Sequence, residues 1–210
     1  MVRRTRAEAD ATRESLLDAA EQVFLERGVS STTLEQIAKR ANVTRGAIYW
    51  HFKNKSDLFR AMLERVRLPL AEIAEGLRQD GRDRDPLGML QDICRLALAK
   101  LDENETYRNV YSILLTRCEF TGEINPVFQQ QLSIDDENLR KFENDIREAG
   151  ARGELRPGIE PRIATLALYS LMHGIYASWL RQPSRFAIRE EGEAMLELFF
   201  SGLRIEHSRP

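Results

Sequence analysis

A stretch of polar, basic and aromatic side chains between Thr33 and Lys55 has the composition of a surface that binds nucleic acid. Arginine can pair with guanine in the major groove of DNA, and hydroxyl and ammonium groups can contact phosphates. The chemistry available to this stretch is therefore recognition, not bond making. The candidate DNA contacts in it are Thr33, Thr44, Arg45, Gly46, Tyr49, Trp50 and Lys55.

Two short helices joined by a tight turn are predicted to position these side chains. Thr33 followed by Gln36 predicts a capping box at the start of the first helix. Asn42 is expected to take a positive φ in the turn, because asparagine tolerates that conformation better than most residues. At 100° per residue, Ile48 and Phe52 share one side of the second helix and should face the core. The opposite side would then face DNA.

Each exposed residue of the second helix has a different expected task. Arg45 lies where a recognition helix reads base edges, and Gly46 would let the backbone approach DNA closely. The Tyr49 hydroxyl could donate to a phosphate. Asn54 is predicted to cap a third helix, which would place Lys55 beside an anion-binding helix N-terminus as a phosphate contact.

The segment VTRGAIYWHFKNKSDL resembles the DNA-binding signature of TetR-family transcriptional regulators. The opening MVRRTRAEADATRESLLDAAEQVFLERGVSSTTLEQIA resembles the subgroup that represses multidrug efflux pumps. Asn42 departs from the glycine most frequent there, without threatening the turn. The resemblance implies an all-α fold of about nine helices, with a helix-turn-helix domain over residues 1–66 and a ligand-binding and dimerisation domain over residues 67–210. It also places His51 near a phosphate.

A ligand-responsive repressor is the function that the resemblance implies. Such a protein binds a palindromic operator in double-stranded DNA as a homodimer and is released by a small hydrophobic effector. A regulator that responds to a metabolite or acyl thioester, or that activates transcription, remains an alternative. The acidic body argues weakly against a large anionic ligand.

Charge and motifs weigh against other classes. The net charge is −2, with +3 over residues 1–66 and −5 over the remainder, whereas an architectural DNA binder would carry more positive charge. The sequence contains no G-x-S-x-G, H-E-x-x-H, G-x-G-x-x-G or P-loop motif, so no enzyme, cofactor or metal site is predicted. Cys94 and Cys118 are expected to be reduced thiols, and a redox role would require a lowered pKa.

The rest of the chain is predicted to form helices separated by short breaks. The first spans about residues 8–27, with Gly28 as its stop. The fourth spans about 55–78 and should kink or break at Pro69. A sixth is expected over 106–119 and a ninth after Phe186. Residues 163–180 contain no Lys, Arg, Asp or Glu, and are expected to form a helix buried in the core or a subunit interface.

Apolar residues of the last two helices are the predicted dimer face, because they exceed what one surface layer requires. Family resemblance agrees with this placement, although some of them should fill the subunit's own core. These residues are Leu166, Tyr169, Ile175, Leu196, Phe199, Phe200 and Leu203.

An effector site in a helical domain should be mostly apolar, with a few polar groups that orient the ligand. His173 could equally be a hydrogen-bonded core imidazole. Family resemblance directs Tyr111 and Glu119 towards the pocket. The full candidate set is Tyr111, Leu115, Cys118, Glu119, Phe128, Met172, His173, Tyr176 and Trp179.

The N-terminus has no apolar segment, so no signal peptide is expected, and a cytoplasmic location follows. Arg3, Arg4 and Arg6 would form either a basic arm along DNA or a frayed, solvated end.

Overall fold

The computed structural model describes residues 6–80, 85–119 and 122–205. Within these ranges the protein is all-α, as predicted. Arg3 and Arg4 lie outside the described residues, and Arg6 is the first residue of α1. The helices are α1 (Arg6–Arg27), α2 (Leu34–Arg40), α3 (Arg45–His51), α4 (Lys55–Asp80), α5 (Pro86–Glu103), α6 (Glu105–Ser112), α7 (Asn125–Ala151), α8 (Pro161–Arg181) and α9 (Glu190–Leu203).

Contacts divide the chain into two compact units. The first extends to Leu68 and also contains Thr106–Gln131, and the second contains Pro69–Glu105 and the chain from Leu132 onward. The predicted division after residue 66 made no provision for Thr106–Gln131 in the DNA-binding part. Helix α4 continues through Pro69 without ending, so the alternative of a helix break there is wrong. The boundary between the units falls at this proline.

The core of the first unit forms where α1, α2, α3 and α4 turn their apolar faces inward. Phe24 and Phe59 meet edge to face with ring centroids 5.9 Å apart, which is a favourable aromatic geometry. The fully buried side chains of this core include Leu16, Leu17, Phe24, Ile37, Ile48, Leu58, Phe59 and Met62.

Local signals at both ends of the short helices are confirmed. The Thr33 side chain accepts from the Gln36 backbone N–H at 3.3 Å, and the Gln36 side chain accepts from the Thr33 N–H at 2.9 Å. Asn42 has φ 54°, the left-handed conformation that the turn requires. The Asn54 side chain accepts from the Asp57 N–H at 2.8 Å and caps α4 as expected.

The sixth helix differs from its prediction. Its α-helical part ends at Ser112, a π-helical turn follows over Ile113–Arg117, and Cys118 is extended. The Thr116 hydroxyl donates to the Ser112 carbonyl at 2.7 Å and competes with the regular helical bond there. The Arg117 carbonyl accepts a hydrogen bond from the Val29 N–H at 3.0 Å. The chain leaves the helix early because its last carbonyl bonds the loop before α2.

The second unit is built around the packing of α5 against α9. Gly192 permits a close approach, since a Cβ there would lie 3.1 Å from Leu98 Cδ1. Arg78 and Asp145 form an ion pair at 3.2 Å, and the Arg78 guanidinium also lies over the Phe142 ring. Helix α9 begins at Glu190, later than predicted, and the Glu191 carboxylate accepts from the Ala187 N–H just before it.

Helix α8 is the helix within the described ranges that is long and apolar enough to cross a bilayer. Only 33% of its apolar window is buried. A helix covered on most sides was predicted, so the subunit alone leaves more of α8 uncovered than expected. Length and composition of this kind also occur in core helices of soluble proteins, and they do not establish a membrane span.

The positive φ of Asn42 gives a stability test. We expect Asn42→Val to lower the free energy of unfolding by about 1–2 kcal/mol, because a β-branched residue is strained in the left-handed region. Asn42→Gly should change it by less than about 1 kcal/mol, because glycine adopts this conformation without strain. Urea denaturation followed by circular dichroism measures both. Equal losses for the two variants would contradict a conformational role for Asn42.

Candidate nucleic-acid interface

Helix α3 presents one buried and one exposed face. The Thr44 side chain caps its start by accepting from the Ala47 N–H at 3.2 Å. Ile48 and Phe52 are buried, as predicted. On the other side Arg45 is exposed and Trp50 is 73% exposed. Large exposed aromatics are unusual on a monomer surface with no partner, so this face has the character of a binding surface.

Gly46 lies on the exposed side with open space around it. The nearest heavy atom to a Cβ built there would be Thr44 Oγ1, at 3.9 Å. Packing within the first unit therefore gives no reason for glycine at this position. Close approach of the backbone to an external partner does give one.

A compact cluster of three polar side chains joins α2 to α3. Glu35 Oε1 accepts from the Tyr49 hydroxyl at 3.0 Å and pairs with Arg45 Nε at 3.2 Å. The Arg45 guanidinium also lies over the Tyr49 ring, 5.5 Å from its centroid. Glu35 was not among the predicted contacts, because it lies on the other helix, 14 positions before Tyr49.

The remaining exposed candidates are arranged around the ends of the two short helices. The Trp50 and His51 rings meet at right angles, with centroids 4.5 Å apart. Thr33 and Thr44 are both exposed caps. A threonine hydroxyl that accepts a capping bond still has its own proton to donate. The Thr44 cap therefore keeps a donor for a phosphate oxygen, whereas the Thr33 hydroxyl already hydrogen-bonds the Glu35 carboxylate.

Lys55 has a structural role that contradicts its predicted phosphate contact. Its Nζ donates to the carbonyls of Val29, Ser30 and Thr32 at 2.9, 3.3 and 3.0 Å. An ammonium group has three protons, and these three acceptors use all of them. Lys55 fastens the loop before α2 to the start of α4.

The N-terminus of α4 is likewise occupied by the chain itself. Glu123 Oε1 accepts from the Lys55 N–H at 3.0 Å, and the Ser56 hydroxyl donates to the Glu123 carbonyl. A carboxylate at a helix N-terminus is stabilised by the unpaired N–H groups and the helix dipole. The predicted anion site is therefore filled by Glu123, and a phosphate cannot use it in this conformation.

The segment that includes Arg117, Glu119 and Glu123 contacts both sides of the helix-turn-helix. The Arg117 carbonyl accepts from the Val29 N–H, and the Glu119 carboxylate accepts from the Ser30 hydroxyl at 3.4 Å. Val29 and Ser30 both lie in the loop before α2. Glu123 bonds the residues that follow α3. Glu119 was predicted to face an effector, but its carboxylate contacts Ser30. These contacts explain why Thr106–Gln131 belongs to the first unit.

An ionic cluster, in which Glu21 is buried and Asp18 is exposed, adds a second connection inside this unit. Arg65 on α4 pairs with Asp18 at 2.6 Å and with Glu21 at 2.9 Å on α1. Asn109 on α6 donates to Glu21 at 2.7 Å. Burial raises the pKa of the Glu21 carboxyl, and the Asn109 hydrogen bond and the Arg65 charge oppose that rise. Helices α1, α4 and α6 are therefore linked through one carboxylate.

The predicted effector residues are divided between the two units. Tyr111, Leu115, Cys118 and Phe128 are partly buried in the first unit, where the Tyr111 ring packs on Tyr107 at 4.6 Å. In the second unit Tyr176 and Trp179 are buried and Met172 is partly buried. His173 is exposed beside Tyr169, with ring centroids 6.3 Å apart. The expectation of a core imidazole is therefore wrong.

Neither thiol is activated. Burial raises the pKa of Cys94 to about 12 and that of Cys118 to about 11, despite nearby cationic groups. A redox-sensing cysteine needs a lowered pKa, so the geometry does not support that role. The described residues also contain no cluster of His, Cys, Asp and Glu able to hold a metal ion.

The predicted dimer residues fall into two groups. Leu166 and Tyr169 are exposed, and Phe199 is partly exposed. Ile175, Leu196, Phe200 and Leu203 are buried in the second unit's own core, so their assignment to a dimer face is wrong. Helix α9 has apolar residues on more than one side, so periodicity alone does not tell which apolar stripe turns inward. Exposed apolar or small residues that the prediction omitted are Ile163, Ala167, Gly174, Ala194, Leu198 and Gly202.

An all-α chain with a capped helix-turn-helix and an exposed recognition face belongs to the class of DNA-binding regulators. Residues 16–62 match the family of bacterial regulatory proteins described as the tetR family, and residues 85–204 match the MAATS-type transcriptional repressor, C-terminal region. This chain belongs to the TetR family. Family members are transcriptional regulators and not enzymes, which confirms the predicted class.

Similar proteins match over nearly the whole chain. The HTH-type transcriptional repressor BepR of Brucella suis is 37% identical over 210 residues, covering 100% of both chains. NalD, the secondary repressor of the MexAB-OprM multidrug efflux pump in Pseudomonas aeruginosa, is 41% identical with a TM-score of 0.86, covering 96% of this chain and 100% of its own. SmeT of Stenotrophomonas maltophilia, in complex with triclosan, is 34% identical with a TM-score of 0.82, covering 95% of each chain.

Two neighbouring lysines test the structural role of Lys55. We expect Lys55→Met to lower the free energy of unfolding by about 1–3 kcal/mol, because it removes the donor that three converging carbonyls share, two of them partly buried. Lys53→Met removes the same charge from an exposed side chain and should leave stability within about 0.5 kcal/mol. Denaturant unfolding of both variants measures the difference. If Lys55→Met weakened DNA binding without any loss of stability, a phosphate contact would be the better account.

Proposed function

We propose that this chain is a ligand-responsive homodimeric repressor that binds a palindromic operator and is released by hydrophobic or aromatic compounds. Its target is proposed to be a multidrug efflux operon. The observation that carries the DNA-binding part is that Arg45, Tyr49 and Trp50 are all exposed on α3, whereas Ile48 is buried.

The proposed contacts with DNA follow from this face. Arg45 would read a base edge in the major groove, and Gly46 would allow the helix to approach. Tyr49, Trp50, Thr33 and Thr44 would lie against the sugar-phosphate backbone. His51 is retained as a neighbouring phosphate contact, whereas Lys55 is not. One short helix reads few base pairs, which favours a twofold dimer on a palindromic site.

The exposed apolar face of α8 and α9 supports dimerisation. On α9, Ala194, Leu198 and Gly202 recur every four residues, and all three are exposed. On α8, Ile163, Leu166 and Ala167 are also exposed. Gly174 on the same helix faces open space, since a side-chain Cβ at this position would meet no atom within 4 Å. Small and apolar residues on adjacent helices allow close helix packing, as in a four-helix bundle. The same face explains the uncovered part of α8 without a membrane.

The efflux operon and the effector class are inferred from the relatives. NalD is described as an efflux-pump repressor, and SmeT is seen with triclosan, a hydrophobic aromatic compound. Within the first unit, Tyr111, Leu115 and Phe128 are proposed effector contacts, and within the second, Met172, Tyr176 and Trp179. These relatives do not favour a metabolite or acyl thioester, or an activator. A DNA-binding regulator of this kind is proposed to act in the cytoplasm.

The proposed route for the signal lies inside the first unit. Tyr111 and Leu115 belong to the same segment as Arg117 and Glu123, which bond the loops on either side of the helix-turn-helix. An effector that moves this segment would disturb both loops together. Repression requires only that the effector prefer the released state, typically by about 1–3 kcal/mol of coupling.

The function is tested by binding of the purified protein to the DNA upstream of its own gene, measured by mobility shift and footprinting. We expect a protected palindrome that is released by some of a panel of hydrophobic antibiotics, flavonoids and triclosan. Specific binding that no compound releases would support the proposed DNA binding and contradict the proposed effector class. Absence of specific binding to that DNA and to duplexes selected from a random library would contradict the proposed function.

The dimer face is tested by placing a charge on it. Leu198 is 76% exposed, so Leu198→Glu should leave the subunit folded but oppose burial at an interface. We expect sedimentation equilibrium to show a monomer and operator affinity to fall. Ile73→Glu changes another exposed apolar residue of the second unit and should remain a dimer. If Leu198→Glu also remained a dimer, the proposed face would be wrong.

A further inference from the structure

Glu35 holds two side chains of the proposed reading face in one arrangement. Its Oε1 atom accepts a hydrogen bond from the Tyr49 hydroxyl at 3.0 Å and forms an ion pair with Arg45 Nε at 3.2 Å. Tyr49 in turn supports the Arg45 guanidinium from its ring face at 5.5 Å. Arg45 is thereby restrained from two directions, although its side chain is 74% exposed.

The choice of nitrogen matters for recognition. A guanidinium group has one N–H on Nε and two pairs of N–H groups on its terminal nitrogens. Guanine offers O6 and N7 in the major groove, and arginine binds them in a bidentate manner. Because Glu35 engages Nε, the terminal nitrogens of Arg45 are available to form that pair. A restrained arginine also loses less conformational entropy when it binds.

The negative charge of Glu35 lowers the affinity for DNA of any sequence, whereas its position favours one base contact. A hydrogen bond from its own backbone N–H and another from Tyr49 lower the pKa of this carboxyl, so it is ionised at neutral pH. A carboxylate on a surface facing phosphates repels every DNA sequence and partly offsets the Arg45 charge. The same group should thus weaken non-specific binding while it orients a base contact.

We infer that Glu35 is a specificity-determining residue, which positions Arg45 for a base edge and disfavours its use as a general phosphate contact. This inference rests on the proposed function, since it requires a site-specific DNA binder. Glu35 is a positioning residue and acts through Arg45 and Tyr49. Its effect should therefore appear in the ratio of specific to non-specific affinity and not in affinity alone.

The test compares Glu35→Gln with Glu26→Gln. Glu26 is also exposed and paired with an arginine, Arg40, at 2.6 Å, but it lies on α1. Affinities are measured by fluorescence anisotropy, at fixed salt, for the footprinted operator and for a random-sequence duplex of equal length. We expect Glu35→Gln to bind the random duplex more tightly and to lower the ratio about tenfold, within the range for one bidentate base contact. Glu26→Gln should leave the ratio unchanged.

Two further variants separate orientation from charge. Glu35→Asp keeps the negative charge but is too short to reach Arg45 and Tyr49 together, so its ratio should also fall, without tighter random-duplex binding. In an Arg45→Ala background, Glu35→Gln should no longer change the ratio. The inference is overturned if Glu35→Gln and Glu35→Asp preserve the wild-type ratio, or if the effect persists without Arg45. A wild-type protein that does not discriminate between the two duplexes would instead refute the proposed function.

Discussion

The arrangement of the first unit depends on the hydrogen bonds that the Lys55 ammonium group donates. The carbonyls of Val29, Ser30 and Thr32 in the loop before α2 converge on one donor, and the Val29 carbonyl also accepts from the Thr32 N–H at 3.3 Å. Lys55, the first residue of α4, donates to all three. Glu123 then closes the same corner from the other side by capping α4. Helices α2 and α3 are thus held between two fixed ends, and their relative geometry is set before any DNA is present.

A fixed frame makes the exposed face of α3 useful for recognition. Ile48 anchors the helix, so Arg45, Tyr49 and Trp50 have a defined direction. Glu35 adds orientation at the level of the side chain. The interface therefore combines groups that attract any DNA with one carboxylate that repels it, and discrimination arises from the difference. Lysine and arginine also divide their tasks here: the compact ammonium of Lys55 supports the fold, and the planar guanidinium of Arg45 faces outward.

The two units share the long helices and differ in what they leave exposed. Helix α4 belongs to the first unit up to Leu68 and to the second from Pro69, and α7 is divided after Gln131. The first unit exposes polar and aromatic groups suited to DNA. The second exposes a seam of small and apolar residues around Leu198 suited to another helix pair. Thr106–Gln131 joins the first unit through Arg117, Glu119 and Glu123, which contact the loops on both sides of the helix-turn-helix.

The sequence by itself determined what depends on neighbours in the chain. The capping of α2 by Thr33, the left-handed turn at Asn42 and the burial of Ile48 follow from local conformational preference and helical period, and all are present. Only the tertiary structure decided the partners of Lys55, Glu35 and Glu123, because those contacts join residues up to 68 positions apart. It also decided which stripe of α9 is core, since Leu196 and Leu198 are equally apolar and only packing distinguishes them. The sequence pattern shows which residues share a face of a helix, whereas tertiary packing decides which of those faces is buried.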